Sequence, residues 1–190
     1  MPYLLLVSVA VSLGVYLWTR KKRSIHKRDR DVSYALEIRA LSTSQKGFLL
    51  YAITLEAQQV QLYKRFARKA RKAGKDHLAV GFERAMEVEA THLMKLRQEA
   101  RKRKIKNTVW SRIGNSLGRA TGQILSAFGP RLPLESVVTI ENQAAKHYSE
   151  ARKGLQDQTL LDLYLVNQVD EEYHASWAKA MLDHPDKLRI

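Results

Sequence analysis

Glu89-Ala90-Thr91-His92 and Glu171-Glu172-Tyr173-His174 are the two stretches on which the fold turns. Residues three apart lie on one face of an α-helix, so each tetrapeptide can aim a carboxylate and an imidazole at the same point. Both lie inside apolar stripes of helical period. The first stripe carries Leu78, Phe82, Ala85, Glu89, His92 and Leu96; the second carries Leu160, Tyr164, Asn167, Glu171, His174, Ala178 and Met181. Each helix therefore turns a carboxylate toward the core, where an unpaired anion costs several kcal/mol (roughly).

Reading outward, each Glu-x-x-His helix is preceded by a helix with one further core-facing glutamate. Residues 44–72 place Leu49, Ile53, Val60, Tyr63 and Ala67 on a stripe that also holds Glu56, with Lys and Arg opposite. Residues 133–154 do the same with Leu134, Val137, Tyr148 and Ala151 around Glu141, starting at a first-turn proline and ending at Gly154. The Glu-x-x-His helices are expected over 76–104, with Asp76 as N-cap, and from Asp157 or Thr159 to just before Pro185. An internal repeat underlies this pattern. Glu56-Ala57-Gln58 with Tyr63 returns as Glu141-Asn142-Gln143 with Tyr148, and the next Glu-x-x-His follows 33 and 30 residues after the leading glutamate. No run alternates at period two, so the chain is expected to be all-α, two helical hairpins forming a four-helix bundle over 44–184.

Salt bridges are the alternative to metal for neutralising Glu56, Glu89, Glu141 and Glu171, but the same stripes carry no Lys or Arg. Only His92 and His174 share them. Four carboxylates balance two divalent cations, and mixed oxygen and imidazole ligation suits iron or manganese. With no cysteine in the chain, disulfides, thiolate zinc sites, iron–sulfur clusters and a cysteine nucleophile are excluded.

The formal net charge of +14 predicts an anionic partner. The basic run 20–30 directly follows an uncharged stretch, 3–18, which at about 1.5 Å per helical residue covers most of a hydrocarbon core of about 30 Å. Residues 1–19 are expected to form an uncleaved transmembrane anchor with Tyr3, Tyr16 and Trp18 near its ends, and 20–43 a basic juxtamembrane linker. Arg20, Lys21, Lys22 and Arg23 then keep the rest of the chain on the cytoplasmic side of a bacterial inner membrane, or less readily of a mitochondrial one. The basic runs 64–75 and 95–106 read as solvated outer faces. No RNA-binding aromatic signature, zinc finger or Gly-rich phosphate loop argues for nucleic acid.

Between the hairpins, residues 109–128 form an amphipathic crossover helix. Trp110, Ile113, Leu117, Ile124 and Phe128 make its apolar stripe, away from Arg112, Asn115, Arg119 and Gln123. Gly114, Gly118 and Gly122 form a small-residue row suited either to close helix packing or to the approach of a flat ring and its isoprenoid tail. The segment is expected to face the membrane, the alternative being a helix packed on its own bundle.

Over residues 45–183 the chain resembles the demethoxyubiquinone hydroxylases among the ferritin-like di-iron carboxylate proteins. The likeness rests on the two Glu-x-x-His motifs, on Val109-Trp110, Gly114, Leu117-Gly118 and Thr121-Gly122, and on Glu141 followed by His147-Tyr148. The family's usual Asp-His-Ala-Gly before the first ligand glutamate is replaced here by Ala52-Ile53-Thr54-Leu55. The resemblance implies two iron ions on Glu56, Glu89, His92, Glu141, Glu171 and His174, O2 as oxidant, electrons from an external donor such as NADH, and a quinone precursor of ubiquinone as substrate. Tyr63 and Tyr148 are read as relays of electrons or protons or as core tyrosines, and His147 as a group behind the ligands or at an interface. A homo-oligomer or a lipid-presenting partner fits the same reading. The competing functions are a membrane-anchored ferritin-like protein that handles iron or peroxide, and a di-iron hydroxylase acting on nucleic acid.

Overall fold

The computed structural model describes residues 41–184; the expected anchor over 1–19 and most of the basic linker lie outside the described residues. Within them the chain is all-helical, with no strand: α1 Thr43–Lys72, α2 Asp76–Lys102, α3 Thr108–Leu125 followed by a 3-10 turn at Ser126–Phe128, α4 Arg131–Arg152 and α5 Gln158–Asp183. No helix among the described residues is long and apolar enough to cross a membrane. α1 packs along α2 and α4 along α5, forming two hairpins. These meet where α2 touches α5 and α1 touches α4, while α3 lies along α1.

Local chemistry sets the helix ends. Ser42 caps α1 through its hydroxyl on the Gln45 N–H, and the Gln45 side chain returns to the Ser42 N–H, a reciprocal pair contributing about 1 kcal/mol. α1 and α4 both stop two residues before a left-handed glycine, Gly74 at φ +71° and Gly154 at φ +73°. α2 ends the same way but with Lys104 at φ +54°, two residues short of the end expected from sequence, because a lysine there hides the stop. Its C-terminus is held by Arg103, whose guanidinium bonds Glu99 and, at 2.6 Å, Asp157, and Asp157 in turn accepts from the Leu160 N–H at 3.1 Å to cap α5. Two starts also differ from expectation. Asp76 is the first helical residue of α2 rather than its cap, and α4 begins two residues before Pro133, which remains in the first turn where its missing N–H costs no helical bond.

The core is divided. One apolar cluster gathers Leu49, Ile53, Leu93, Leu96, Leu160 and Tyr164, and the other Leu62, Phe66, Leu78, Phe82, Leu134 and Val137. Glu56, Gln59, Glu89, His92, Glu141, Asn167, Glu171 and His174 fall between the two clusters along the helices, all buried.

The glycine row of α3 serves close packing. A Cβ on Gly114 would lie 2.1 Å from the carbonyl oxygen of Thr54, and one on Gly118 2.2 Å from that of Gln58. These two carbonyls flank Glu56, so α3 fixes the α1 segment that carries it. On the adjoining flank Ser111 accepts from Arg97 of α2 at 3.0 Å and Asn115 from Gln61 at 3.1 Å. Of the expected apolar stripe, Ile113, Ile124 and Phe128 are exposed, with Val109 beside them at 63%, whereas Trp110 and Leu117 are half-buried and Trp110 packs against the core. The helix packs on its own bundle, the second of the two alternatives posed by the sequence, and keeps an exposed apolar edge.

Alanine replaces glycine in a helix with a gain of about 1 kcal/mol when nothing is in the way. Gly118→Ala and Gly114→Ala should nevertheless lower stability by about 1–3 kcal/mol, because the obstructing atoms are backbone oxygens. Gly122→Ala meets the Arg65 side chain at 3.2 Å and the Leu62 backbone only at an ordinary contact distance of 3.5 Å, and should be near neutral. Urea midpoints of the three variants give the comparison, and equal midpoints would contradict the packing described.

Candidate metal centre

The six residues singled out by the sequence converge in the polar layer. Glu56, Glu89, His92 and Glu171 bring ligand atoms within 4.8 Å of one another, and so do Glu89, Glu141, Glu171 and His174. Glu89 and Glu171 belong to both groups. Each group adds one glutamate and one histidine of its own, so the internal repeat appears in space as two neighbouring positions.

The tyrosines of the repeat grip the opposite hairpin's glutamate. Tyr63 of α1 donates to Glu141 Oε1 of α4, and Tyr148 of α4 donates to Glu56 Oε1 of α1. Both rings are buried among core side chains. They are core tyrosines, one of the two readings made from sequence, and their hydroxyls orient the carboxylates. His147 is exposed and bonds Tyr51 Oη at 2.6 Å through Nδ1, not any of the six.

Several polar contacts had no assigned role in the sequence. Asn167 donates to Tyr148 Oη at 3.0 Å and to Glu56 Oε1 at 3.5 Å. Gln59 donates to Glu141 Oε2 at 2.5 Å and Glu171 Oε2 at 3.1 Å. Asp170 accepts from His92 Nε2 at 2.9 Å, which leaves Nδ1 facing Glu89 at 3.2 Å and Glu56 at 3.6 Å. A signal did exist for Gln59, which follows Glu56 by three residues and shares its face. Asp170 gives none, since it neighbours Glu171 rather than sharing its face.

Electrostatics without metal are unfavourable. Burial, then the charge of Glu56, raises Glu89 well above the usual carboxylate range. Burial and the charges of Glu141 and Glu89 do the same to Glu171, and burial raises Glu141. Burial opposes a charge on His92, but hydrogen bonds to Glu56 and Glu89 outweigh it and raise its pKa to about 11. Burial and the His92 charge lower His174 to about 4. Glu56 Oε2, Glu89 Oε1, Glu171 Oε1 and His174 Nδ1 are buried without a well-formed hydrogen bond; His174 Nδ1 lies 2.8 Å from Glu89 Oε1, and His92 Nδ1 3.6 Å from Glu56 Oε2. Among the described residues no lysine or arginine bonds any of the four glutamates. Carboxylate oxygens and imidazole nitrogens that converge within 4.8 Å, with few well-formed hydrogen bonds among them, fit divalent metal of the oxygen-and-nitrogen class.

Beside this layer, α1 and α4 are separated by a groove of about 850 Å³, whose walls include Phe48, Tyr51, Leu55, Ala144 and His147. Gln58 and Gln143, the paired glutamines of the repeat, also line it, one from each helix. None of the six candidate ligands lines the groove; Leu55 and Ala144, which do, lie one residue before Glu56 and one helical turn after Glu141.

Without metal, the protons held by Glu89, Glu141, Glu171 and His92 stabilise the folded state at low pH, and this contribution is lost as pH rises through their raised values. Above about pH 6.5, where His174 is neutral in both states, the metal-free protein should lose stability with rising pH. Metal displaces those protons, so the rise in melting temperature on adding Fe(II) or Mn(II) anaerobically should grow from pH 6.5 to 8.5. A metal-induced shift that is flat or shrinks over that range would contradict a buried, proton-competing site.

Searches of curated proteins and of solved structures return no match. A family model, "Ubiquinone biosynthesis protein COQ7", matches residues 55–186, a span that opens one residue before Glu56 and takes in both Glu-x-x-His motifs. With more than half of its length matched and the four-carboxylate, two-histidine layer inside the match, the chain belongs to the COQ7 family of ubiquinone biosynthesis proteins.

Proposed function

We propose that this chain is a ferritin-like, di-iron, O2-dependent monooxygenase that hydroxylates a ring carbon of a demethoxyubiquinone-like precursor in ubiquinone biosynthesis. The observation that carries this reading is the combination of metal-ready carboxylates with a groove beside them, since storing or oxidising iron needs no groove of that size. Glu56, Glu89, His92 and Glu171 would hold one iron ion and Glu89, Glu141, Glu171 and His174 the other. Bound iron supplies the reduction of O2, one oxygen going to the ring and the other leaving as water, with electrons from an external donor such as NADH.

The chain's own contribution is positioning and dryness. Tyr63 and Tyr148 hold the two outer glutamates in place by hydrogen bonds, so neither carboxylate must reorient when the ring arrives. Phe48, Leu55 and Ala144 offer a flat ring an apolar slot and exclude water beside the polar layer. Tyr51 and His147, joined at 2.6 Å, place a hydroxyl and an imidazole where oxygen substituents of a quinone ring can be bonded.

A lipid substrate has to reach the groove from the bilayer. The exposed stripe Val109, Ile113, Ile124 and Phe128 on α3, with Arg112 and Arg119 exposed on another face, is suited to lie in an anionic membrane surface. We assign residues 1–19 to a single-pass anchor, 20–43 to the linker and 44–184 to the catalytic bundle on the cytoplasmic side.

Iron-loaded protein given a demethoxyquinone, a reductant and 18O2 should release quinone carrying one 18O atom. Gln143→Trp, at an exposed position lining the groove, should narrow it and cut that activity by at least about tenfold while keeping the wild-type iron content. Iron-loaded protein that consumes O2 or peroxide without labelling any quinone would sink this reading and leave iron or peroxide handling.

A further inference from the structure

The repeat gives the metal centre an approximate two-fold symmetry that equates Glu56 with Glu141, Tyr63 with Tyr148, Glu89 with Glu171 and His92 with His174. Three polar residues break it. Gln59 has Ala144 as its counterpart, Asp170 has Val88, and Asn167 has Ala85. All three act on the layer, and they act unequally on its halves.

On the His92 side, Tyr148 and Asn167 both donate to Oε1 of Glu56, and the buried Oε2 has only the imidazole of His92 beside it, at 3.6 Å. His92 is backed by Asp170 at 2.9 Å, an arrangement that fixes the ring and makes the opposite nitrogen a stronger donor to metal. On the His174 side, Glu141 has both oxygens engaged, Oε1 by Tyr63 and Oε2 by Gln59 at 2.5 Å, and Gln59 also reaches Glu171 Oε2. Val88 has no oxygen with which to back His174 as Asp170 backs His92.

Resting on the di-iron reading above, we infer that Gln59 is a place-holder which competes with metal for Glu141, so that the position of Glu56 and His92 binds tightly and first, and the position of Glu141 and His174 weakly and second. The amide of Gln59 is the positioning group: it keeps Glu141 and Glu171 oriented when the second position is empty, and it must yield one carboxylate lone pair when metal enters. The order of filling is thereby written into this chain by departures from its own repeat.

Anaerobic calorimetric titration of the full chain with Fe(II), against a competing chelator, reads this directly. The wild type should bind two ions in two steps whose affinities differ by at least about tenfold. Gln59→Met, which keeps the side chain's length without the amide, and Gln59→Ala, which restores the symmetry with Ala144, should strengthen the second step by about tenfold and leave the first within about twofold. Asp170→Asn acts independently and should weaken the first step by about 10–100-fold. It tests the order even if the Gln59 variants lose their helical circular dichroism. Two equal steps in the wild type, a second step unchanged or weakened by both folded Gln59 variants, or an Asp170→Asn variant whose first step is untouched would each overturn the proposal. Absence of any iron binding would remove the di-iron reading itself, a result distinct from two ions bound equally.

Discussion

Four buried carboxylates with no lysine or arginine to pair with, and only two histidines among them, are the constraint on which this structure depends. Glu56, Glu89, Glu141 and Glu171 are all but fully removed from water in a layer that cuts the apolar core in two. Protons can neutralise such a layer only by forcing carboxylates far from their ordinary titration range and by leaving oxygens without hydrogen bonds, and both are seen here. Two divalent cations remove both problems together. The apolar clusters on either side supply folding energy; the layer between them is where the chain gives up stability for chemistry.

The arrangement around the layer follows from one hairpin used twice. Each leading helix donates a tyrosine across to the other's glutamate, so the α1–α4 interface is tied at two symmetric points while its remaining length is left open as the groove. α3 completes the support from outside, its glycines pressed against the carbonyls that flank Glu56. A helix pressed this closely cannot bend away without moving a ligand glutamate. Its outward apolar stripe thereby couples any surface it lies on to the same α1 segment.

Much of this could be read from sequence because the informative residues violate a pattern. A glutamate in a leucine stripe is conspicuous, and a histidine three residues on gives it a partner, so the six candidate ligands within the layer and the four bundle helices were legible. What could not be read follows from three physical causes. Helix ends set by backbone conformation rather than by residue type, such as Lys104 in a left-handed state, carry no compositional mark. Contacts between hairpins, such as Gln59 to Glu141 or Asp170 to His92, depend on the rotation of two helices about their axes. The groove belongs to neither α1 nor α4 alone. His147 shows the same limit, since its partner Tyr51 lies 96 residues away.

Membership of the COQ7 family agrees with a carboxylate and histidine layer that could hold metal, and the groove is where the proposed substrate would sit. The anchor, the exposed face of α3 and the basic surface belong to the proposed delivery of a lipid substrate, whereas the central claim concerns the carboxylates alone. Anomalous diffraction at the iron edge, on crystals of protein loaded anaerobically with Fe(II), tests it most directly. Two peaks, one among Glu56, Glu89, His92 and Glu171 and one among Glu89, Glu141, Glu171 and His174, are the predicted result. A map with no iron peak in the layer, its carboxylates hydrogen-bonded to one another through protons, would contradict it.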